Sequence, residues 1–536
     1  MKKLPLGIQS FREIINGNYV YVDKTQFVYD LINNAKYYFL SRPRRFGKSL
    51  LLDTIGEAFS GDKELFKGLR LYSSDYDFVK HPVLRLDMSR IANETPEILK
   101  ASVASKLIRC ADEENIGISD KIPSDIFGDL IESLYKKYRQ SVVVLIDEYD
   151  KPILSHIDDI KIAEANRKVL RDFYGILKSM DPYLRLTFVT GVSKFTKTSI
   201  FSELNNLLDI TLNKKYSNIC GISAENLDEY FGQHIEYLAA LDDFEPYGDL
   251  RGEILTWYDG YSWDGKTRVI NPFSLLSFFS QERFANFWYA SGTPKFLIDI
   301  IKKDPAVYTS LKNTKITELM LDTSGIEVIE PELMFFQTGY LTIKSLLPVK
   351  GAAVYQLDMP NFEVSEAFNL QIISAFTKKR QARVKEAQLG MDDALQRGDT
   401  QKILEILRSL FASIPYQLHI DLEAYYHSIF FAVMSVLGFN MDAEVSTSKG
   451  RVDAVLELDD KVYVMEFKYE GCAPDADHEV KRKLFDKALA GGMKQIQDRG
   501  YHKKYLGRGK EIILASFAFL GRDDIEMLTW AAPTTQ

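Results

Sequence analysis

The first half of the chain alternates unbroken apolar runs with stretches of helical period: YYFLSRP from Tyr37, HPVLRLDMS from His81, SVVVLIDEYD from Ser141 and YLRLTFVTGVS from Tyr183. β-Branched runs separated by helix-length segments are what a parallel sheet covered on both faces requires. The pattern predicts an α/β domain over residues 1–220. Beyond Cys220 the chain turns aromatic and helical, with the turn-like WYDGYSWDG followed by VINPFSLLSFF, which predicts a helical accessory domain over 221–345. Residues 346–410 read as a connecting segment, and within it Thr377–Gly398 is charged and weakly periodic. The last part, 411–536, predicts a small α/β domain. Its elements are a helix (DLEAYYHSIFFAVMSVLG), a meander of three strands through NMDAEVSTSKG and RVDAVLELDDKVYVMEFKY, a basic helix and the strand EIILASFAFL.

Composition narrows the function classes. At 536 residues, 46% hydrophobic and 26% charged, the chain is ordinary globular material of several domains, neither disordered nor fibrous. No apolar run approaches the ~20 residues of a membrane helix, and MKKLPLGIQSF meets Pro5 and Gly7 without an apolar core, so the expectation is a cytoplasmic protein. Cys110, Cys220 and Cys472 are too scattered for a zinc set and fit reduced thiols. A net charge of -8 provides no global attraction for nucleic acid, so such binding must come from local basic surfaces. Two stand out: Lys36–Lys48, with Arg42, Arg44 and Arg45 and no acid, and Gly471–Lys510, where basic residues outnumber acidic ones. A basic run is more often only a solvated face.

Where the first predicted strand runs into SRPRRFGKSLLLDTIGEAF, Gly47, Lys48 and Ser49 stand between a buried strand and an amphipathic helix. A phosphate-binding loop belongs there: free amides of the helix start face the anion, Lys48 reaches the β/γ-phosphates and Ser49 reaches Mg2+. The first glycine of the GxxxxGK[ST] pattern is replaced by Arg42, so Arg42-Pro43 must make the turn. VVVLIDEYD then ends an apolar strand in Asp147, suited to a magnesium partner, and Glu148, suited to polarising the attacking water. The plainer alternative is that both acids merely cap a strand end. Thr190 and Ser193, at the end of the next strand, read equally as γ-phosphate sensors or as a helix N-cap. Arg44, Arg45, Arg171 and Arg185 are all candidate arginine fingers, and the sequence selects none. These residues imply ATP and Mg2+ as cofactors, with Arg45, Gly47, Lys48, Ser49, Asp147 and Thr190 around the nucleotide.

Near the carboxyl end, two strands form a hairpin around Asp459-Asp460, which brings Asp453 beside Glu466. Strand alternation puts Glu466 and Lys468 on one face with Phe467 opposite. Two carboxylates can hold Mg2+ against a phosphate oxygen while a lysine orients water for attack on phosphorus. The alternative is a buried Lys468–Glu466 ion pair with Asp453 as a turn residue. Glu423 is an auxiliary metal or network candidate and Gln495 an auxiliary phosphate or water positioner. His427, one turn from Glu423, lacks a third zinc ligand and reads as a hydrogen-bonded surface histidine.

Taken together, VYVDKTQFVYDLI, SRPRRFGKSLLL, VVVLIDEYDKPI, FVTGVSKFTKTSIFSELNNL, WYDGYSW with INPFSLL, and GRVDAVLE, VMEFKY and KQIQDRGY resemble one family over nearly the whole chain. It comprises bacterial proteins with an AAA-ATPase-like domain followed by a PD-(D/E)XK nuclease-like domain. The resemblance implies a P-loop domain, a lid-like or winged-helix-like accessory domain and a restriction-endonuclease-like carboxyl-terminal domain. It also implies that RPRRFGKS is the family's normal loop, and that the nuclease motif falls on Asp453, Glu466 and Lys468, with Val452 where proline is frequent. The expected function is an ATPase coupled to Mg2+-dependent phosphodiester cleavage. Nucleic acid, DNA favoured, is the expected partner, with no membrane involvement and a homo-oligomer left open. The competing expectation is a nucleotide-dependent switch or scaffold whose last domain binds without cutting.

Overall fold

Five strands, β1 (Tyr37–Ser41), β2 (Val83–Asp87), β3 (Val142–Asp147), β4 (Leu184–Gly191) and β5 (Leu208–Asp209), build an all-parallel sheet in the order β2-β3-β4-β1-β5. They belong to a computed structural model that describes residues 1–119, 122–194, 200–201, 204, 206–288, 295–303, 307, 311, 314–318, 320, 330–349, 352–377, 381–411, 430, 434, 441–447, 450–458, 460–473, 476–520 and 524–532. The chain divides into two compact units, Met1–Ser291 with Asn313–Glu363, and Gly292–Lys312 with Val364–Gln536. The expected α/β fold class is what forms, with the parallel sheet in the first unit and a five-stranded mixed sheet in the second.

Burial follows strand position. All of β1 and Val142–Ile146 of β3 are buried, because helices cover both faces of central parallel strands. Edge strand β2 instead alternates, with Leu84 and Leu86 inside and Arg85 outside. The helix Lys48–Ala58 follows β1, Pro96–Glu113 and Pro123–Tyr138 follow β2, and Ile160–Ser179 follows β3. Their starts are chemically marked. Thr95 Oγ1 accepts from Ile98 N ahead of Pro96, and the Asp159 carboxylate accepts from Ile162 N. Register pairs Ser41 with Gly191 and Asp87 with Asp147, so the carboxyl ends of these strands form one rim. Because β4 lies between β1 and β3, the residues that follow β4 stand between the 42–47 loop and the acidic end of β3.

The aromatic segment after Cys220 belongs to the same unit as the parallel sheet. Helices Ala224–Ala239, Leu250–Tyr258, Pro272–Gln281 and Pro331–Thr338 accompany an antiparallel sheet of β6 (Thr314–Thr317), β7 (Thr342–Val349) and β8 (Ala352–Asp358), ordered β6-β8-β7. Phe231, Phe244, Tyr258, Phe278 and Phe287 fill its core, and Val20 from the amino-terminal segment packs among them.

In the second unit, β9 (Met441–Thr447), β10 (Gly450–Glu457) and β11 (Lys461–Glu470) make the expected antiparallel meander. The helix His478–Arg499 then crosses to β12 (Glu511–Leu520), which is parallel to β11. A fifth strand absent from the sequence reading, β13 (Asp524–Ala531), closes this edge antiparallel to β12. Its polar alternation, with Leu528 and Trp530 exposed, hides it from a search for apolar runs. The segment 346–410 read as a connector contains the helices Phe362–Thr377 and Gln381–Arg397, the second of them within its charged stretch. The latter buries Met391, Ala394 and Leu395, and Tyr463 Oη donates to Leu395 O at 2.7 Å, so it packs against the β11 region. The helix predicted over 421–438 lies outside the described residues except for Phe430 and Met434. Phe430 packs its ring 4.7 Å from Phe467 and 5.0 Å from Phe517.

This aromatic group carries the second unit's core on the face opposite Glu466. Phe467→Ala should therefore destabilise that unit by ~3–5 kcal/mol, read as a lower urea midpoint for the loss of its near-ultraviolet circular dichroism.

Candidate functional site

The loop after β1 is turned by residues that carry side chains. Arg45 has φ 67° and Gly47 φ 88°, both left-handed, and Gly47 caps the helix Lys48–Ala58. Arg42 does not face the loop's interior. It is fully buried, its Nη1 donates to Ser41 O at 2.8 Å and Thr211 O at 2.9 Å, its Nη2 donates to Tyr216 O at 3.1 Å, and its guanidinium lies 4.0 Å over the Trp263 ring. Burial lowers its pKa to about 10. The turn expected of Arg42-Pro43 is thus held by a guanidinium driven inward.

Aromatic side chains from the accessory segment brace the rest of the loop. Phe46 is buried edge-on against Tyr261 (4.7 Å) and Trp263 (5.3 Å). Arg45 stacks on Phe273 at 3.8 Å, and Trp288 Nε1 donates to Arg44 O at 3.3 Å. Trp288 N is in turn held by Glu363 Oε1 at 2.7 Å, a carboxyl that burial pushes up to about 7. None of these aromatic residues was assigned a role from sequence. The signal was present in WYDGYSW and INPFSLL, but only tertiary contact reveals what those rings touch.

Lys48, Ser49, Asp147 and Glu148 converge at the rim. Lys48 Nζ donates to the carbonyls of Arg42 and Pro43, both at 3.0 Å, and burial holds its pKa below the usual lysine range. Ser49 Oγ donates to Asp147 Oδ2 at 2.5 Å. Burial raises the pKa of both Asp147 and Glu148, against the opposing pull of Lys48. Glu148 sits at φ 49°, left-handed despite its side chain. A cleft of about 580 Å3 is lined by Arg45, Gly47, Lys48, Ser49 and Glu148, with Gly7 and Gln9 from the amino-terminal segment. A cavity of about 360 Å3 on the other side of Ser49 and Glu148 reaches Asp147, Asp87 and Asp53. A smaller apolar one of about 100 Å3 continues behind Gly47 between Val20, Leu51 and Ile222.

The two candidate sensors stand differently. Thr190 is fully buried beside Leu40 in the sheet register, its hydroxyl has no hydrogen-bond partner among the described residues, and it does not line the cleft. Ser193 Oγ donates to Asp150 Oδ2 at 2.6 Å and is therefore engaged within the protein. Arg171 and Arg185 also lie away from the cleft lining: Arg171 pairs with Asp172, and Arg185 donates to Ile32 O.

In the second unit, Asp453 and Glu466 meet across the β10–β11 pair. Phe467 N donates to Asp453 Oδ2 at 2.9 Å, Lys468 Nζ lies 3.0 Å from Glu466 Oε1, and Gln495 Nε2 from the crossover helix donates to the same oxygen. Burial, with the Asp453 charge beside it, pushes Glu466 up to about 7. Glu466 Oε2 and the hydroxyl of Ser516, its register partner on β12, are both buried without a hydrogen-bond partner among the described residues. Buried oxygens of this kind call for an explanation, and a cation or ordered water would supply one. Among the described residues no group of three or more His, Cys, Asp or Glu is arranged to hold a metal. A magnesium ion here would rest on Asp453 and Glu466 and complete its shell with water and substrate oxygens, its usual habit. Gly492 faces Ser516 so closely that a Cβ there would overlap its Oγ, which lets the helix bring Gln495 in. Glu423 and His427 lie outside the described residues.

Comparison with known proteins fits both sites. Residues 5–201 match the family described as "Predicted AAA-ATPase", and residues 421–527 match the PD-(D/E)XK nuclease superfamily. The "Uncharacterized protein in vnfD 5′ region" of Azotobacter chroococcum mcd 1 is 35% identical over 524 residues, 97% of this chain and 96% of that one. This chain belongs to that family. It pairs an AAA-ATPase-like domain with a PD-(D/E)XK nuclease superfamily domain. Among solved structures, Drosophila ORC bound to poly(dA/dT) DNA and Cdc6 matches at a TM-score of 0.23 and 13% identity, over 55% of this chain and 44% of that one. No helix among the described residues is long and apolar enough to cross a membrane.

The AAA-ATPase-like loop depends on Arg42 for shape. Arg42→Ala leaves three carbonyls without their donor and opens a cavity, and should cost ~2–4 kcal/mol. Arg42→Lys should recover little of this, since a point charge cannot match a planar fork. Thermal unfolding of the two variants checks both statements.

Proposed function

We propose that the protein binds and hydrolyses ATP in the cleft above β1 and β3, and that its last domain is a Mg2+-dependent nuclease whose cleavage is governed by nucleotide state. The observation that carries the first half is the convergence of Lys48 and Ser49 from one strand end with Asp147 and Glu148 from another on two cavities that share Ser49 and Glu148. A lysine hydrogen-bonded only to neutral carbonyls of its own loop is a cation awaiting an anion. Phosphate oxygens take over from those carbonyls, while the amides at the start of Lys48–Ala58 receive the rest of the charge. Arg45 lies at the mouth of the cleft, placed to reach the phosphate tail, and the apolar cavity behind Gly47 suits the base. Glu148 accepts the proton of the attacking water or orients it. Thr190 takes part only through the backbone of β4.

The second half is supported by Asp453, Glu466 and Lys468 on one sheet face with Gln495 above them. Bound Mg2+ would supply charge neutralisation at the phosphate oxygens of both sites. Asp453 and Glu466 hold it in the nuclease centre, and Ser49 with Asp147 in the ATP site. Lys468 orients the water that attacks phosphorus, and Gln495 fixes Glu466. Lys494 and Arg499 on the crossover helix, with Lys481 and Lys487 paired to Asp524 and Glu470, give the nucleic-acid backbone, DNA by preference, a basic surface. In this reading the ATPase part spans 1–220, the accessory part 221–345, the connector 346–410 and the nuclease 411–536. The protein works in the bacterial cytoplasm, and ATP-driven self-association remains compatible with this arrangement.

Two experiments test the halves separately. Lys48→Ala should abolish ATP binding by calorimetry, whereas Glu148→Gln should bind ATP normally and lose turnover by ~100-fold or more. Equal ATP affinity in wild type and Lys48→Ala would remove the assignment of the loop.

For the nuclease, purified protein should cut DNA only with Mg2+, and Asp453→Ala, Glu466→Ala and Lys468→Ala should each be inactive. The acid variants should retain salt-dependent DNA binding, because losing acidic charge weakens no phosphate contact. ATP hydrolysis by wild type without cleavage of DNA or RNA under any nucleotide condition would replace this reading with that of a nucleotide-dependent switch.

A further inference from the structure

Glu148 holds a backbone conformation that a residue with a side chain adopts only under constraint, and the constraint is visible in the next two residues. Tyr149 N donates to Thr190 O at 3.1 Å, and Tyr149 Oη donates to Ser193 O at 3.0 Å. The Asp150 carboxylate is almost completely buried, at 1% exposure. Its Oδ2 accepts from Ser193 N at 2.6 Å, from Ser193 Oγ at 2.6 Å and from Val192 N at 3.1 Å. Every one of these bonds crosses from the end of β3 to the end of β4. They hold the chain on the carboxyl side of Glu148 while the β3 ladder holds it on the amino side through Ile146, paired with Val189. Between the two anchors, only a left-handed residue closes the path.

The fit at this junction is close. A Cβ on Gly191 would lie 2.5 Å from the Tyr149 ring and 2.6 Å from Asp150 Oδ1, so the strand end is shaped to admit both side chains. A charged carboxylate kept away from water for structure alone is costly, and a neutral residue of similar size would fill the space. Charge-assisted bonds from two successive amides and a hydroxyl instead fix direction as well as distance. Asp150 is not among the residues lining the cleft, so its carboxylate acts there only through its neighbours.

We propose that Asp150, through its bonds to Val192 and Ser193, is the positioning residue for Glu148 in ATP hydrolysis, setting where that carboxylate meets the attacking water. The inference rests on the reading of Glu148 given above and deepens it. Displacement of a catalytic group by ~1 Å costs on the order of 100-fold in rate, so loosening the latch affects turnover before it affects binding.

The test is a double-mutant cycle in the full-length protein. Asp150→Asn should lower kcat for ATP by ~10-fold or more while leaving the Kd of a non-hydrolysable ATP analogue within about twofold, since no binding contact is lost. In the Glu148→Gln background the same change should add nothing, because the group it positions is already disabled. Ser193→Ala, which removes one donor and leaves both amides, should reduce kcat by a smaller factor. Ser193→Thr, which keeps the hydroxyl, should restore it, and this pair carries the test where Asp150→Asn does not fold. Additive losses in the cycle, or Ser193→Ala and Ser193→Thr behaving alike, would show a merely structural contact and overturn the inference. Glu148→Gln with full turnover, or a wild type with none, would overturn the reading beneath it as well.

Discussion

Arg42 ends β1 with a guanidinium turned into the protein, where it meets the carbonyls of Ser41, Thr211 and Tyr216 and the face of Trp263. Burying a cation without a carboxylate partner is expensive unless its donors are satisfied and its face is covered. Here three peptide carbonyls accept from Nη1 and Nη2 and the indole covers the face, while Nε has no partner among the described residues. The consequence is directional. Because Arg42 is fixed inward, the chain must leave the sheet at Pro43 at a set angle, Arg45 and Gly47 take left-handed positions, and the helix Lys48–Ala58 starts over the rim. A loop that lacks the usual glycines cannot be shaped by its own flexibility, and the accessory segment that provides Trp263, Tyr261 and Phe273 is accordingly part of the site's construction.

The same logic explains the placement of β4. A strand inserted between β1 and β3 separates the loop from the acidic strand end by one strand spacing, ~5 Å on each side. It also puts the backbone of Val192 and Ser193 within reach of Asp150. The rim is therefore built from contacts made after β4, although the residues with the most evident chemistry precede it.

What could be read from sequence follows from how local each cause is. β1, β3 and β4 announce themselves as unbroken apolar runs because both faces are covered. Gly47-Lys48-Ser49 and Asp147-Glu148 are legible because strand ends and helix starts fix their neighbours within a few residues. Likewise Asp453, Glu466 and Lys468 follow from a hairpin and a period of two. Arg42 misleads because RPRR reads as a solvated basic run, while its acceptors lie at Thr211 and Tyr216. Asp150 is hidden for a similar reason, since its partners arrive on another strand. Ser516 becomes neighbour to Glu466 only through a parallel crossover whose register no local pattern specifies. β13 escapes because an edge strand needs only one apolar face.

Set side by side, the two centres hold lysine differently. Lys48 is hydrogen-bonded to neutral carbonyls and feels Asp147 and Glu148 only through space. Lys468 is paired with Glu466, and with Asp453 nearby the group carries an excess of negative charge when ionised. Burial raises the proton affinity of Asp147 and Glu148 as well as of Glu466, so each carboxylate set gains from a cation brought close. At the first set Lys48 stands near the acids and opposes that rise. At the second Lys468 opposes it for Glu466, while the Asp453 charge adds to it.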